Sequence, residues 1–351
     1  MMTAPSTIPS RRQLEQLAQG GALSGDGLQM ALRRLGYLPD AAAWRRFGNL
    51  ALLAAGSLLV LAGIVFFFAF NWAALHRFAK MALAALPLAL SAALAARLAG
   101  QRAGRAWLGA AVALTGVLLA VIGQIYQTGA DSELLFAGWA ALTLPWVAAG
   151  CAPWLWLFWL LIVNVALGLF IAGRWAFWSM PGSLLSDGLP WLPLLLNAAA
   201  LCAWEGLWPR LTWMRGAPYA PRIIALLTAL CATALGIFWC LLGDDRHVAW
   251  RVMRYTPLIY LAWLGATLWF YRLRRRDIVP LAAGALSLIV VATVWLVNWL
   301  LDTWHGNGAG SLLLIGLAVA GMTALAVLWL RKTTQAWEHA AADAAARERG
   351  A

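Results

Sequence analysis

Long apolar stretches separated by short polar gaps run along almost the whole chain. Each stretch is 17 to 23 residues long, and about 20 helical residues are needed to cross the ~30 Å hydrocarbon core of a bilayer. The pattern therefore predicts an all-α polytopic membrane bundle of about ten transmembrane helices. The stretches are residues 48–70, 79–96, 107–125, 134–150, 152–172, 189–208, 223–242, 255–271, 278–300 and 311–330.

The basic residues in the gaps predict the orientation of these helices. When the gaps are assigned alternately to two sides, 20 of the 26 Lys and Arg residues fall on the side that holds both termini. Positive charge near helix ends is retained in the cytoplasm, so we expect a bacterial inner-membrane protein with both termini inside. The six exceptions are Arg77, Lys80, Arg174, Arg246, Arg251 and Arg254.

The polar segments outside the bundle predict three further parts of the chain. We expect a disordered tail at 1–9, a cytoplasmic helical hairpin at 10–46, the transmembrane domain at 47–331 and a cytoplasmic C-terminal tail at 332–351. A hairpin of about 30 residues is too small to bury a core of its own. It must therefore dock onto the membrane domain, a partner or a second copy.

Two short amphipathic helices are predicted within the hairpin. The first carries Leu14 and Leu17 and stops at the Gly20-Gly21 pair. Ser24 can then cap a second helix, on which the apolar residues share one face. Those residues are Leu28, Leu32 and Leu35.

Composition excludes a soluble globular domain. Apolar residues make up 63% of the chain and charged residues 11%, against about half and a quarter in soluble proteins. The net charge of +12 lies in short cytoplasmic gaps, so topology and anionic membrane lipids account for it and nucleic acid is not expected as a partner. The four cysteines have no C-x-x-C spacing, and we expect small buried hydrophobic residues with no disulfide, metal or cofactor.

One boundary between stretches is weakly marked. Residues 134–172 contain no charge, and only the break from Gly150 to Pro153 divides them. Proline just after a small-residue break favours a turn between two spans. One span followed by a re-entrant segment is the alternative.

Small residues follow one face of the third stretch at alternating spacings of four and three. Such a seam lets the backbone of a neighbouring helix approach closely. We therefore expect a tightly packed helix at this position. The seam consists of Gly109, Ala113, Gly116, Ala120 and Gly123.

Three features together resemble a known family. They are the N-terminal helical hairpin, the segment F-A-F-N-W-A-A-L from Phe68 to Leu75, and the segment G-Q-I-Y-Q-T-G-A-D from Gly123 to Asp131. In this combination the chain resembles, over about residues 10–150, a bacterial family of predicted integral membrane proteins known as domain of unknown function 2157. The resemblance implies an inner-membrane protein of unassigned activity, with no catalytic residues to carry over.

Polar side chains accumulate at the predicted outer ends of the spans. They could converge into an extracytoplasmic pocket or partner surface, or they could bond loop backbone and water, as interfacial residues commonly do. Both alternatives stand on the sequence alone. The candidate residues are Asn71, Trp72, Gln124, Tyr126, Gln127 and Asp131, with Asp302 and His305 as further members.

Three polar side chains fall inside the predicted spans. Asn164 and Asn197 lie near the middle of consecutive stretches, so we expect them to hydrogen-bond across an antiparallel helix pair. Glu205 lies about one turn from the cytoplasmic boundary. It is either a functional intramembrane carboxylate or a side chain that reaches the interface and pairs with Arg210 or Arg222.

The sequence contains no motif of a known catalytic class. H-E-x-x-H, G-x-S-x-G and P-loop signatures are missing, and the four histidines lack metal-ligand spacing. We therefore expect a non-enzymatic membrane subunit or envelope-associated factor that acts through a membrane or envelope protein partner. A transporter or a protein that handles lipids or small molecules is the alternative, since ten spans exceed what an anchor needs.

Overall fold

The structure is a computed structural model that describes residues 11–35, 37–38, 41–126, 132–174, 189–207, 210–242, 250–303 and 308–350. All regular structure in these ranges is helical, with no β-strand. The chain divides into two compact units, residues 1–80 and residues 81–351. Each unit is described by itself.

The first unit contains three helices: α1 (Arg11–Gln19), α2 (Gly25–Arg34) and α3 (Ala41–Asn71). The first two form the expected hairpin, in which Leu14 and Leu32 are buried. Helix α1 ends where Gly21 adopts a φ of +76°, which glycine tolerates without strain. Helix α2 begins at Ser24, whose Oγ accepts a hydrogen bond from the Gly27 amide at 3.1 Å.

The expected common face of α2 is only partly formed. Leu32 is buried and Leu28 is half-buried, but Leu35 lies just past the helix end and is exposed. Helix α3 begins at Ala41, before the apolar stretch starts. It ends at Asn71, where a short 3₁₀ turn (Trp72–Ala74) follows.

A helix occupies most of each of the other nine apolar stretches. Helix α4 (Arg77–Arg97) starts in the first unit and continues into the second. Besides α9 (Thr212–Arg215), a single turn, the following helices are α5 (Arg102–Tyr126), α6 (Ser132–Gly150), α7 (Pro153–Arg174), α8 (Leu192–Leu207), α10 (Tyr219–Leu242), α11 (Trp250–Leu273), α12 (Ile278–Thr303) and α13 (Gly308–Gly350).

Within the described residues, seven helices have the length and hydropathy needed to cross a membrane: α4, α5, α6, α7, α10, α12 and α13. Helix α8 is apolar but has 16 residues. Helix α13 extends well beyond its apolar stretch to Gly350, so residues 332–350 continue a helix that the stretch alone does not predict.

The uncharged segment 134–172 forms two separate helices. Helix α6 ends at Gly150 and α7 begins at Pro153, and Cys151 between them has a φ of +44°. The two helices pack against each other, and the Trp159 Nε1–H donates to the carbonyl of Ala140 at 2.8 Å. Both helices have the length and hydropathy of a membrane span, as expected for a turn between two spans.

The small-residue seam on α5 is filled by aromatic rings and not by a neighbouring backbone. A Cβ at Gly109 would lie 2.2 Å from the Trp154 ring, and one at Gly116 would lie 2.5 Å from the Trp139 ring. At Gly123 the space is open. At Gly109 and Gly116 the expected close approach of a backbone is wrong, because α7 and α6 place bulky indole rings opposite these two glycines and the rings occupy the gap.

Helix α10 is the centre of packing in the second half of the chain. It contacts α7, α8, α11 and α12 and is the most buried of the seven candidate spans. Its core side chains include Ala232 and Leu235, which pack with Leu194, Leu264 and Val291 of the neighbouring helices. This arrangement brings the ends of α8, α10, α11 and α12 close together.

The four cysteines are free thiols. Cys240 is buried and Cys231 is half-buried, but Cys151 and Cys202 are exposed. The expectation that all four are buried is therefore wrong for two of them. A thiol is apolar enough to lie on the outer surface of a helix bundle that faces hydrocarbon.

Candidate functional site

The two mid-span asparagines form a reciprocal amide pair between α7 and α8. Asn164 Nδ2 donates to Asn197 Oδ1 at 3.1 Å, and Asn197 Nδ2 donates to Asn164 Oδ1 at 2.7 Å. Each Nδ2 also donates to a carbonyl one turn earlier on its own helix, that of Leu160 or Pro193, at 2.8 Å. Asn197 is 0% exposed. The predicted hydrogen bond across the helix pair is confirmed.

A second buried polar group joins α10, α11 and α12. The Thr233 hydroxyl donates to Ser287 Oγ at 2.8 Å, and Ser287 Oγ lies 2.9 Å from the Tyr260 hydroxyl. Sequence reasoning missed this group, because single hydroxyl residues in three separate apolar stretches carry no common spacing. As in the amide pair, these three polar side chains bond to one another.

Near the C-terminal end of α8, Glu205 pairs with a residue that the sequence did not single out. Its Oε2 lies 2.7 Å from Arg275 Nε, and its Oε1 accepts a hydrogen bond from the Tyr271 hydroxyl at 3.1 Å. The expected pairing with Arg210 or Arg222 is wrong. Helix packing places the end of α11 beside α8, so the nearest cation comes from the α11–α12 loop.

Arg222 instead pairs with Asp277, with 2.8 Å between Nε and Oδ2. The other carboxylate oxygen of Asp277 accepts a hydrogen bond from the Val279 amide at 3.1 Å, so Asp277 also caps the first turn of α12. Arg276, the residue before it, has a φ of +50°. This short charged loop is therefore held to both α8 and α10 by ion pairs.

The two ion pairs line a cavity of about 210 Å³. Its charges nearly balance, since two carboxylates face three guanidinium groups. A site of this composition can hold water or a small polar ligand, but its carboxylates and guanidinium groups already neutralise most of each other's charge. The lining residues are Glu205, Pro218, Pro221, Arg222, Tyr271, Arg275, Arg276 and Asp277.

The described members of the predicted outer polar cluster belong to different units of the chain. Gln124 is exposed, and Tyr126, the last residue of α5, is 56% exposed. Asn71 and Trp72 are half-buried in the first unit, where the Lys80 ammonium lies 5.3 Å from the Trp72 ring. Three predicted members, Gln127, Asp131 and His305, lie outside the described residues. The outer cluster stays a prediction.

Among the described residues, no group of three His, Cys, Asp or Glu side chains is placed to hold a metal ion. The groups that converge are amides, hydroxyls and ion pairs. Such groups are suited to holding helices together and to recognising charge.

Residues 15–156 match the model of a family described as "Predicted membrane protein (DUF2157)". This match confirms the resemblance expected over about residues 10–150 and the class of the chain as a membrane protein. The family description states no activity. No curated protein and no solved structure matches the chain.

Proposed function

We propose that the chain spans the bacterial inner membrane ten times, with both termini in the cytoplasm. Seven helices meet the length and hydropathy requirement, and helices α3, α8 and α11 coincide with the other three apolar stretches. The orientation is supported by charge, because 20 of the 26 basic residues fall on one side. The ion pair between Arg222 and Asp277 joins two gaps assigned to that same side, and Arg275 of the α11–α12 gap pairs with Glu205 near the end of α8.

Labelling of single cysteines tests this topology. In a variant whose four native cysteines are replaced by alanine, Tyr126→Cys would react with a membrane-impermeant maleimide in intact spheroplasts. Arg347→Cys would react only after lysis. The reverse pattern would contradict the proposed orientation, and labelling of both positions before lysis would contradict an odd number of spans between them.

The proposed role is that of a non-enzymatic membrane subunit or envelope-associated factor that binds a protein partner. The observation that carries it is that the two mid-span amides, Asn164 and Asn197, bond to each other. A pathway for polar solutes needs such groups to face a cavity. Fully bonded amides instead stabilise the packing of the helices.

The α1–α2 hairpin is the proposed contact surface for that partner. Leu17 is 47% exposed and Met30 is 57% exposed, although Leu14 and Leu32 of the same hairpin are buried. Apolar side chains exposed on a small module mark a surface for binding another protein.

Purification from native membranes in mild detergent, followed by mass spectrometry, tests the role. We expect a second membrane or envelope protein in stoichiometric amount. Met30→Asp should release it, and Gln29→Asp, which adds the same charge at the adjacent exposed position, should not. Recovery of the protein alone, or equal retention by the two variants, would count against a partner bound at the hairpin.

One observation favours the alternative of a protein that handles lipids or small apolar molecules. An apolar groove of about 300 Å³ lies between α10, α11 and α12, with Trp239, Tyr260 and Trp295 in its lining. A groove of this size and character suits an acyl chain. A single retained lipid or solute, without a second protein, would favour this alternative.

A further inference from the structure

A second pocket at the basic end of the bundle lies between the end of α11 and helix α13. Its volume is about 370 Å³, within the range of small-ligand sites. Two contacts connect its walls: the Trp337 Nε1–H donates to the Arg272 carbonyl at 3.2 Å, and the Arg272 guanidinium lies 5.8 Å from the Trp329 ring. The walls are therefore joined by specific contacts.

The pocket carries a positive charge that the protein does not neutralise. Arg272, Arg276 and Lys332 line it, and no carboxylate does. Within the described part of the chain, none of these three cations has an acid at ion-pair distance. Their neighbours Arg222 and Arg275 are paired with acids. This pocket is thus lined by three cations that no described carboxylate neutralises.

The position of the pocket along both helices corresponds to a membrane boundary. Arg272 directly follows the apolar stretch 255–271, and Lys332 lies just after the stretch 311–330. Trp329 and Trp337 lie on either side of Lys332, and tryptophan is enriched at the depth of lipid headgroups. A ligand in this pocket would therefore lie where phospholipid phosphates lie.

We propose that this pocket binds the phosphate of an anionic phospholipid headgroup. Guanidinium groups bind phosphate oxygens through paired N–H donors, and an ammonium group adds a point charge. The indole rings pack against the glycerol and upper acyl carbons of the same lipid. Clustered Lys and Arg beside a transmembrane helix suit the anionic lipids of the cytoplasmic leaflet. The inference rests on the proposed membrane orientation and is independent of a protein partner.

Lipid retention by the full-length protein tests the proposal. The wild type is placed in nanodiscs of phosphatidylcholine with a minor fraction of phosphatidylglycerol, and bound lipids are counted by native mass spectrometry after release. The pocket variant is R272Q/R276Q/K332Q. The matched control is R210Q/R274Q/R331Q, which removes the same amount of charge. Its three residues are exposed and are predicted on the same side of the membrane, but they do not line the pocket.

We expect the wild type and the control to retain phosphatidylglycerol in preference to phosphatidylcholine, and the pocket variant to bind it at least tenfold more weakly than the control. Equal retention by the two triple variants would overturn the proposal, as would equal retention of the two lipids by the wild type. Phosphatidylglycerol should also raise the melting temperature of the wild type but not that of the pocket variant.

Competition with free inorganic phosphate shows whether the bound phosphate group belongs to a lipid or to a water-soluble molecule. If the lipid is the ligand, millimolar phosphate should leave phosphatidylglycerol bound. Displacement by phosphate at that concentration would assign the pocket to a water-soluble phosphate and overturn the lipid source. Should the triple variant fail to fold, Lys332→Gln alone changes an exposed side chain of α13 and should still lower retention relative to Arg331→Gln.

Discussion

The amide pair between α7 and α8 should contribute a measurable coupling energy to the stability of the bundle. In Asn164→Leu, the fully buried Asn197 loses the donor to its Oδ1 and one acceptor for its Nδ2. An unsatisfied buried polar group costs about 1–3 kcal/mol. Asn197→Leu should cost less, since Asn164 is only half-buried.

The double variant N164L/N197L removes both amides and leaves no orphaned group. We expect its cost to be smaller than the sum of the single costs by about 1–2 kcal/mol, near the upper range for hydrogen bonds between membrane helices. Unfolding by SDS in mixed micelles, followed by circular dichroism, measures all four free energies. Asn298→Leu provides the control, because Asn298 donates to the Cys240 carbonyl and should add independently to Asn164→Leu.

Additive costs for Asn164 and Asn197, within about 0.3–0.5 kcal/mol, would refute the reasoning. They would mean that each amide finds an equally good partner when the other is removed. A coupling as large for Asn164 with Asn298 as with Asn197 would also refute it, since those two amides share no bond.

Two further predictions concern packing and charge. Gly116→Ala places a Cβ 2.5 Å from an indole ring and should cost about 1–3 kcal/mol by overpacking. Gly123→Ala has open space and should cost less than about 0.5 kcal/mol in the same SDS titration. Equal costs for the two variants would show that the ring moves freely. Arg275→Gln leaves the largely buried Glu205 carboxylate without its cation and should destabilise the folded protein by about 1–2 kcal/mol after allowance for partial exposure. Arg210→Gln should change stability by less than about 0.5 kcal/mol. A larger cost for Arg210→Gln than for Arg275→Gln would restore the pairing expected from the sequence.

The sequence predicted features that depend on neighbouring residues in the chain. Apolar length predicts helices, because a long uncharged segment in lipid must bond its own backbone groups. The break from Gly150 to Pro153 predicts the turn between α6 and α7, because proline cannot continue the preceding hydrogen-bond pattern. Ser24 predicts the start of α2 by capping. The amide pair was also predictable, since Asn164 and Asn197 lie at matching depth in consecutive spans.

The candidate sites depended on contacts between distant parts of the chain. Glu205 and Arg275 are 70 positions apart, and hydropathy does not indicate which loop will lie beside the end of α8. The same holds for Arg272 and Lys332, which line one pocket although they belong to different helices.

By itself, the sequence determined that this is a helical membrane protein, where its helices lie and which two mid-span amides pair. The tertiary structure decided which rings fill the seam of α5, which cation neutralises Glu205 and where unpaired positive charge collects. The physical reason is that apolar faces of helices are nearly interchangeable in lipid. Only close packing of particular side chains selects the neighbours of each helix and, with them, the composition of every pocket at the helix ends.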